Sequence, residues 1–262
     1  MALINAEFFM AQSLCRGTSI RVILPEPGCG RPNSIGRYPV LWLLHDEGGN
    51  CSSWTRYTSL ERYVEQAGIA CIMPTIDFSF GANIDSGRFF DWISEELRTY
   101  CAAMYPISDK GQDNFIAGVG MGGYAALKIG LTLPTHYGKI ATFSASHLTE
   151  NDLAPIPGGP RHPHNLWRNL VFKTTSVTEL TDGEFDLLHL ASETAHASTT
   201  LPIIHTFCTR EDYRLDAMQT DAEYFRQLGF TYTLTIGEGE TNWTYLDCTL
   251  PLMFTQLNSE KL

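Results

Sequence analysis

The chain has 262 residues, of which 44% are hydrophobic and 18% charged, a balance typical of one large α/β domain or two small ones. Eighteen basic residues against twenty-nine acidic ones give a net charge of −11. With no block of Lys or Arg, neither nucleic acid nor an anionic membrane is expected as a partner. The N-terminus lacks the features of a signal peptide, and no segment approaches the roughly twenty apolar residues of a membrane span, so we expect a cytoplasmic protein.

The seven cysteines predict neither a disulfide framework nor a metal site. Their number is odd and no pair has Cys-x-x-Cys spacing, so most are expected to be small core residues. No cofactor is expected.

The first part of the chain alternates between predicted strands and helices. Two extended runs, Glu7–Leu14 and Thr18–Leu24, flank Cys15-Arg16-Gly17 and predict an antiparallel hairpin, followed by a surface loop over Pro25–Tyr38. Apolar runs without alternation predict strands that are covered on both faces. The remaining elements of this half are a strand at Pro39–Leu44, a helix at Ser53–Gln66, a strand at Ile69–Met73, a loop over Asp77–Gly87, a helix at Phe89–Met104, a strand at Asn114–Val119, a helix at Tyr124–Leu133 and a strand at Lys139–Phe143.

The alternation stops at Ser146 and resumes after Asp182. This segment is rich in Pro, Gly and His, with a short helix expected near Leu166–Phe172, and its length indicates a cap or lid over about residues 146–182. The chain therefore predicts a single α/β domain with a mainly parallel, doubly wound sheet and an antiparallel hairpin at one edge. The last predicted elements are a helix at Glu184–His196, a strand at Pro202–Cys208, a helix at Leu215–Leu228, a strand at Tyr232–Ile236 and a helix at Trp243–Leu257.

Four sequence blocks carry the functional signal. They are the strand-and-loop sequence Leu43–Asn50 with Trp54, the strand–turn–helix sequence Asn114–Tyr124, the turn Arg210–Tyr213 and the turn Gly239–Trp243. In this order the blocks resemble the esterase family of the α/β-hydrolases, in the branch that contains tributyrin esterase and S-formylglutathione hydrolase. The second block resembles the family's nucleophile elbow, a strained turn that lifts a serine above the sheet.

The resemblance assigns roles to positions whose residues no longer suit them. Gly120 stands where the family has its nucleophilic serine, Thr241 where it has the histidine base, and Asp46 where a glycine follows the histidine of the oxyanion strand. Asp212 keeps the acid of the triad. The N–H of Met121 corresponds to one oxyanion-hole donor.

The two losses in the triad predict that serine-hydrolase chemistry is absent. A triad needs a nucleophile, a base within hydrogen-bond reach and a carboxylate that orients the base. Thr241 cannot act as a base near neutral pH, and Gly120 has no side chain. Removing the serine or the histidine costs on the order of a million-fold in turnover in a well-studied serine hydrolase.

Several nearby residues have two readings. His45 can be a structural residue of the oxyanion loop or a replacement base. Asp46 and Glu47 can place negative charge against the oxyanion hole or point into solvent. Asp212 can be a relic that is hydrogen-bonded within its turn or a base acting on water.

Four further residues could in principle serve a site, but none has an identified partner. His147, His162 and His164 lie in or near the predicted cap, and no third ligand makes a metal site with the last two. Cys51 lies beside the oxyanion loop without a matched base, which favours an inert core residue over a thiol nucleophile.

Three functions follow as hypotheses. The first is an esterase-like protein that has lost hydrolysis and retains a pocket for a small acyl or ester-like ligand, or an interaction surface. The second is an active hydrolase of short-chain acyl esters or thioesters, in which Asp212 or a cap histidine activates water in the space that Gly120 leaves open. The third is a scaffold partner of an active esterase paralogue, and assembly into a homo-oligomer stays open.

Overall fold

An eight-stranded sheet forms the centre of the fold. The computed structural model describes residues 1–26, 36–145, 148, 153–157, 159, 163–174, 176–197 and 200–259. Its strands are β1 (Ala2–Ala11), β2 (Arg16–Leu24), β3 (Val40–Leu44), β4 (Ala70–Pro74), β5 (Asn83–Ile84), β6 (Gly87–Arg88), β7 (Asn114–Val119), β8 (Lys139–Phe143), β9 (Ile203–Thr209) and β10 (Tyr232–Gly237).

The strand order is β1-β2-β4-β3-β7-β8-β9-β10, with β5 and β6 paired separately. β1 and β2 form an antiparallel hairpin, β2 pairs antiparallel with β4, and all the later neighbours are parallel. The predicted α/β sheet with an antiparallel hairpin at one edge is confirmed. The carboxyl ends of β3, β7, β8, β9 and β10 therefore lie along one edge of the sheet, where ligand sites of open α/β sheets form.

Helices cover both faces of this sheet. They are α1 (Ser53–Tyr57), α2 (Leu60–Ala67), α3 (Phe89–Asp91), α4 (Leu97–Met104), α5 (Met121–Thr132), α6 (Pro163–Phe172), α7 (Leu187–Ala197), α8 (Leu215–Gln227) and α9 (Trp243–Asn258). A π-helical turn at Trp92–Glu96 joins α3 to α4, so the helix predicted over Phe89–Met104 is continuous.

Two apolar cores lie on opposite faces of the sheet. Successive residues of β3 alternate between them: Trp42 packs in one core, and Leu41 and Leu43 pack in the other. This burial on both faces explains the uninterrupted apolar run that β3 has in the sequence.

The single helix predicted over Ser53–Gln66 is wrong, because the structure has two helices there. Thr58 is extended, with φ −138° and ψ 168°, which ends α1. The N–H of Ser59 donates to Asp247 Oδ1 at 2.6 Å, and the Ser59 hydroxyl donates to Asp247 Oδ2 at 3.3 Å. A partner 188 residues away in α9 thus supports the break, and local propensity could not reveal it.

Three other helices begin elsewhere than predicted. α5 begins at Met121, three residues before the predicted Tyr124, because the glycine turn leads directly into the helix. α6 begins at Pro163, before the predicted Leu166, and α7 begins at Leu187, after the predicted Glu184. The predicted cap, about residues 146–182, lies partly outside the described residues.

Two basic side chains are buried where β8 and β9 meet α9. Lys139 Nζ donates to the carbonyl oxygens of Gln256 at 2.8 Å and Leu257 at 3.0 Å, which closes the end of α9. His205 is 7% exposed, and neither ring nitrogen has a hydrogen-bond partner within the described part of the chain. Burial and the nearby charge of Lys139 lower the pKa of His205 to about 4, so this residue is neutral at pH 7.

Close packing of α5 against β3 and β7 requires glycine. A Cβ at Gly122 would lie 2.5 Å from the carbonyl oxygen of His45, and a Cβ at Gly118 would lie 2.3 Å from the carbonyl carbon of Gly122. Since real side chains do not tolerate such distances, these glycines bring the start of α5 against the end of β3. Within the described residues, no helix has the length and apolar character needed to cross a membrane.

Candidate active site

The turn between β7 and α5 has the form of a nucleophile elbow. Gly120 has φ 53° and ψ −116°, a conformation that L side chains rarely adopt. Its N–H donates to the carbonyl oxygen of Phe143 at 3.0 Å, and its own carbonyl accepts from Tyr124 at 3.0 Å. These bonds hold the turn against the neighbouring strand and the first turn of α5, although Gly120 projects no side chain.

Asp46 fills the space beside Gly120. A Cβ built on Gly120 would lie 2.1 Å from Asp46 Oδ1 and 2.7 Å from Asp46 Oδ2. The same Oδ1 accepts a hydrogen bond from the N–H of Met121 at 2.9 Å. Of the two readings of Asp46, the structure has the carboxylate turned toward the elbow and not into solvent, so the space assumed open above Gly120 is occupied.

His45 faces away from the elbow and is committed to the backbone. Its Nε2 accepts from the N–H of Ile76 at 2.9 Å, which leaves Nδ1 to donate to the carbonyl oxygen of Asp46 at 2.8 Å. Burial lowers the pKa of His45 despite this backbone bond and the nearby carboxylates of Asp77 and Asp46. The imidazole is therefore neutral, and both of its nitrogens are engaged in fixing the loop.

Asp212 forms a bidentate ion pair with Arg214. Arg214 Nε donates to Asp212 Oδ1 at 3.0 Å, and a terminal guanidinium nitrogen donates to Oδ2 at 3.3 Å. The backbone N–H of Arg214 also donates to Oδ1 at 3.0 Å. Burial alone would raise the pKa of Asp212, but hydrogen bonds from Arg214 and Ser144 outweigh it and hold the pKa below its usual value.

Thr241 belongs to a cluster of hydroxyl groups around Asp212. Its Oγ1 lies 3.2 Å from Ser144 Oγ and 3.1 Å from Thr209 Oγ1. Its distance to Asp212 Oδ2 is 3.4 Å, within a weak hydrogen bond. The position given to the base thus lies beside the position given to the acid, but it offers only a hydroxyl.

Arg214 is paired with Asp212 and feels the charge of Asp46 more weakly. Burial would lower the pKa of Arg214, but the hydrogen bond and charge of Asp212, with smaller contributions from Tyr213 and Asp46, raise it. The guanidinium therefore remains charged near neutral pH.

A cavity of about 620 Å³ opens above the elbow. Gly120, Asp46, Thr241, Ser144 and Arg214 all line it, so the structure brings together most of the positions that the motifs single out. The cavity is mostly polar, and its far side is formed by α1 and the start of α9.

Arg214 and Ser144 were missed by reasoning from the sequence. Ser144 follows β8 directly, and residues just past the carboxyl ends of parallel strands are general candidates for a site. Arg214 stands two residues after the assigned acid, a spacing that allows a side chain to fold back onto the carboxylate. Both signals are weak without the fold.

The other candidates do not join the site. Cys51 is buried, with its Sγ 3.3 Å from Ser19 Oγ, and it does not line the cavity. His147 and His162 lie outside the described residues, as does the side chain of His164. In the described part of the chain, no group of three or more His, Cys, Asp or Glu is placed to hold a metal ion.

Comparisons with known proteins agree with the motifs. Residues 11–244 match the family model described as "Putative esterase". An acetyl esterase of Caldicellulosiruptor saccharolyticus is 22% identical over 251 residues, which cover 94% of each chain. This confirms the family that the four blocks indicated.

Solved structures agree with the fold. The substrate-bound fluorophosphonate-binding serine hydrolase FphF of Staphylococcus aureus superposes with a TM-score of 0.87 at 24% identity, covering 99% of both chains. The S-formylglutathione hydrolase FrmB of the same species gives a TM-score of 0.83 at 23% identity, covering 98% of both chains. At these sequence identities, the superpositions show the α/β-hydrolase fold alone.

Proposed function

Since the chain belongs to this esterase family, we propose that it is a member that has lost serine-hydrolase activity and uses the cavity to bind a small ligand. The observation that carries the proposal is the carboxylate of Asp46, which accepts from the Met121 N–H at 2.9 Å. The Asp46 side chain thus occupies the space in which an esterase would place its nucleophile and its oxyanion.

Gly120 and Asp46 form a matched pair of changes. Glycine at the elbow removes the attacking hydroxyl, and the carboxylate takes the volume that a side chain would need, because a Cβ would approach it to 2.1 Å. A serine placed on this turn would collide with a carboxylate and would find a threonine in place of the histidine base. The site is therefore altered in shape as well as in composition.

The negative charge of Asp46 also opposes stabilisation of the oxyanion that forms during ester hydrolysis. An oxyanion hole accelerates the reaction because its donors point at the oxygen where negative charge develops. Here the Met121 donor already serves an anion, and a second anion in the same place would be repelled. This change removes a contribution that the loss of the triad alone would leave in place.

Asp212 is poorly suited to act as a base on water. A general base works best when its pKa lies near the operating pH, whereas the pKa of Asp212 is held below its usual value. Its oxygens are engaged by Arg214 and by the hydroxyl of Thr241. The alternative of a rearranged hydrolase thus cannot draw on Asp212 without first breaking this ion pair.

One observation favours a rearranged hydrolase, and it is again Asp46. Its carboxylate faces the cavity beside Gly120 and could accept a proton from a water molecule. Against this, Asp46 Oδ1 already accepts a hydrogen bond from the Met121 N–H, so the group that would accept the proton also occupies the donor that would stabilise the oxyanion. Binding without turnover is the function that the geometry supports best.

The test is a direct assay. Purified protein is incubated with p-nitrophenyl acetate and p-nitrophenyl butyrate, and release of p-nitrophenol is compared with a blank of Gly120→Ala protein and with buffer. We expect no turnover above either blank. Robust hydrolysis that is lost in Asp46→Asn would instead establish a rearranged active site and overturn the proposal.

A further inference from the structure

The cavity lining also offers hydrogen-bond donors that the described residues do not use. Four polar side chains among the lining residues matter here, namely Asn50, Ser52, Arg56 and Asn242. What each can offer a ligand is fixed by the bonds that it already makes. This inference rests on the proposed function, a cavity kept for binding.

Two asparagine side chains are oriented by the backbone. Asn50 Oδ1 accepts from the N–H of Ser52 at 2.8 Å, and Asn242 Oδ1 accepts from the N–H groups of Thr244 and Tyr245 at 3.0 and 3.1 Å. Because the carbonyl oxygen of each amide is used in this way, the group left over is the NH₂. Both asparagines therefore present donors and not acceptors.

Arg56 and Ser52 add a charge and a hydroxyl. Within the described ranges the guanidinium of Arg56 has neither a hydrogen bond nor an ion pair, although it lines the cavity. Ser52 lines the cavity as well, and no hydrogen bond of its hydroxyl is seen among the residues described. This hydroxyl can therefore donate to a ligand in the cavity.

Negative charge beside Gly120 disfavours an anion at the elbow. The Asp46 carboxylate accepts from the Met121 N–H at 2.9 Å and would repel a second anion there. The positive charge of Arg214 is compensated by its ion pair with Asp212, so it offers little net attraction. Arg56 is thus the cation in the cavity lining that carries no compensating carboxylate in the described part of the chain.

An aromatic surface adjoins Arg56. The rings of Tyr57 and Trp243 are stacked, with centroids 4.9 Å apart and planes at 27°, and both residues line the cavity. Trp54 meets Trp243 edge to face at 5.3 Å and holds it in place. A flat or aliphatic group beside the anion would be covered by this surface.

We propose that the cavity binds a small ligand that carries an oxyanion group, a carboxylate or a phosphate monoester, next to an apolar body. Arg56 is its counter-ion, the amides of Asn50 and Asn242 and the Ser52 hydroxyl are its hydrogen-bond donors, and the Tyr57–Trp243 pair covers its body. Arginine suits this role because its planar fork matches both carboxylate and phosphate.

The experiment uses three probes of similar shape in isothermal titration calorimetry. Phenylacetate and phenyl phosphate carry the oxyanion, and phenylacetamide is the neutral match for the first. We expect one or both anions to bind and the amide to bind at least about tenfold more weakly, as is usual when a charged hydrogen bond is lost. Which anion binds decides between carboxylate and phosphate.

Variants test the counter-ion itself. Arg56→Gln should weaken binding of the anion by roughly tenfold or more, and Arg56→Lys should retain part of it. Arg210→Gln is the control, because Arg210 is exposed, pairs with Glu238 and does not line the cavity. Equal affinity for the amide, unchanged binding in Arg56→Gln, or no binding of either anion would overturn the inference.

The outcome is separable from that of the proposed function. If neither anion binds and the wild-type protein does not hydrolyse p-nitrophenyl esters, the inference of an oxyanion ligand is wrong. The proposed loss of hydrolysis is unaffected by that result. If the protein hydrolyses p-nitrophenyl esters, the proposed function is wrong, whatever the titrations show.

Discussion

Asp46 Oδ1 lies 2.9 Å from the backbone nitrogen of Met121 and would lie 2.1 Å from a Cβ on Gly120. One carboxylate thus makes the hydrogen bond of an oxyanion and takes the volume of a nucleophile. The relationship links two segments that are 75 residues apart in the sequence. Under the proposed function, it decides which substitutions hydrolysis would need.

Restoring the triad alone is expected to fail. In Gly120→Ser/Thr241→His, the new hydroxyl still meets the Asp46 carboxylate, and Met121 still serves an anion. Adding Asp46→Gly clears both obstacles, so the triple variant should hydrolyse p-nitrophenyl butyrate at least about a hundredfold faster than the double variant, the usual cost of one blocked oxyanion donor. Initial rates under identical conditions measure the difference, and equal rates would show that Asp46 does not block the site.

The strain at the elbow should depend on Asp46. In the wild-type background Gly120→Ala adds both an unfavourable backbone conformation and the close contact with the carboxylate, and we expect a loss of about 1–3 kcal/mol. In an Asp46→Gly background only the conformational cost remains. Urea unfolding of the four proteins should give a coupling free energy of about 1 kcal/mol. Additive losses would place Asp46 away from Gly120 in solution.

Removing Arg214 should destabilise the fold through the charge that it leaves behind. Arg214→Met strands the carboxylate of Asp212, whose side chain is 1% exposed, and the free energy of unfolding should fall by about 2–3 kcal/mol, somewhat below the cost for a fully buried pair. Asp212→Asn/Arg214→Met should recover part of the loss.

The chain offers a matched control for this ion pair. Arg210 and Glu238 form an exposed pair with side chains 66% and 73% accessible, so Arg210→Met should change the free energy of unfolding by less than about 1 kcal/mol. Comparable losses for Arg210→Met and Arg214→Met in urea titrations would contradict a special role for the buried pair.

Acid should destabilise the protein partly through His205. Its folded-state pKa of about 4 lies below the ordinary value of 6.5, so the unfolded chain binds the proton more readily. No penalty exists above pH 6.5, and the penalty grows as the pH falls from 6.5 toward 4, reaching at most about 3 kcal/mol. His205→Leu should therefore have a shallower loss of unfolding free energy over this window.

His196→Gln serves as the control for the pH series. His196 lies near the end of α7 and is exposed, so this variant removes a histidine that is not buried, and His205→Leu should change the acid dependence more than His196→Gln does. The depressed pKa values of His45 and Asp212 act in the same direction and stay in every variant, so a residual acid dependence is expected. Identical curves for wild type and His205→Leu would mean that His205 finds a partner in solution.

The sheet and the elbow could be predicted because their signals are local. A strand buried on both faces leaves an unbroken apolar run, as at Asn114–Val119 and Lys139–Phe143, where the predicted and observed bounds agree. The break between α1 and α2 could not be predicted in this way. A hydrogen bond to Asp247 supports the break, and no pattern within the segment records a partner in the last helix.

The site was predictable in its positions but not in its interactions. Motif spacing leads to Gly120, Asp46 and Thr241, yet whether Asp46 turns inward or outward depends on the path of β3 beside β7. The pairing of Arg214 with Asp212 likewise requires the shape of the turn after β9. Tertiary packing sets the direction of a side chain, and sequence motifs alone do not reveal that packing.

The hydrogen bond between Ser59 and Asp247 limits which segments can be exchanged between homologous proteins. It joins Ser59, at the junction of α1 and α2, to α9, whose first residue is Trp243, and α1 carries Arg56 and Tyr57. The cavity wall is thus a composite of two segments from opposite halves of the sequence. A chimera that transfers residues 53–59 without residues 243–247 would separate the wall from its support, so the two segments form one transferable unit.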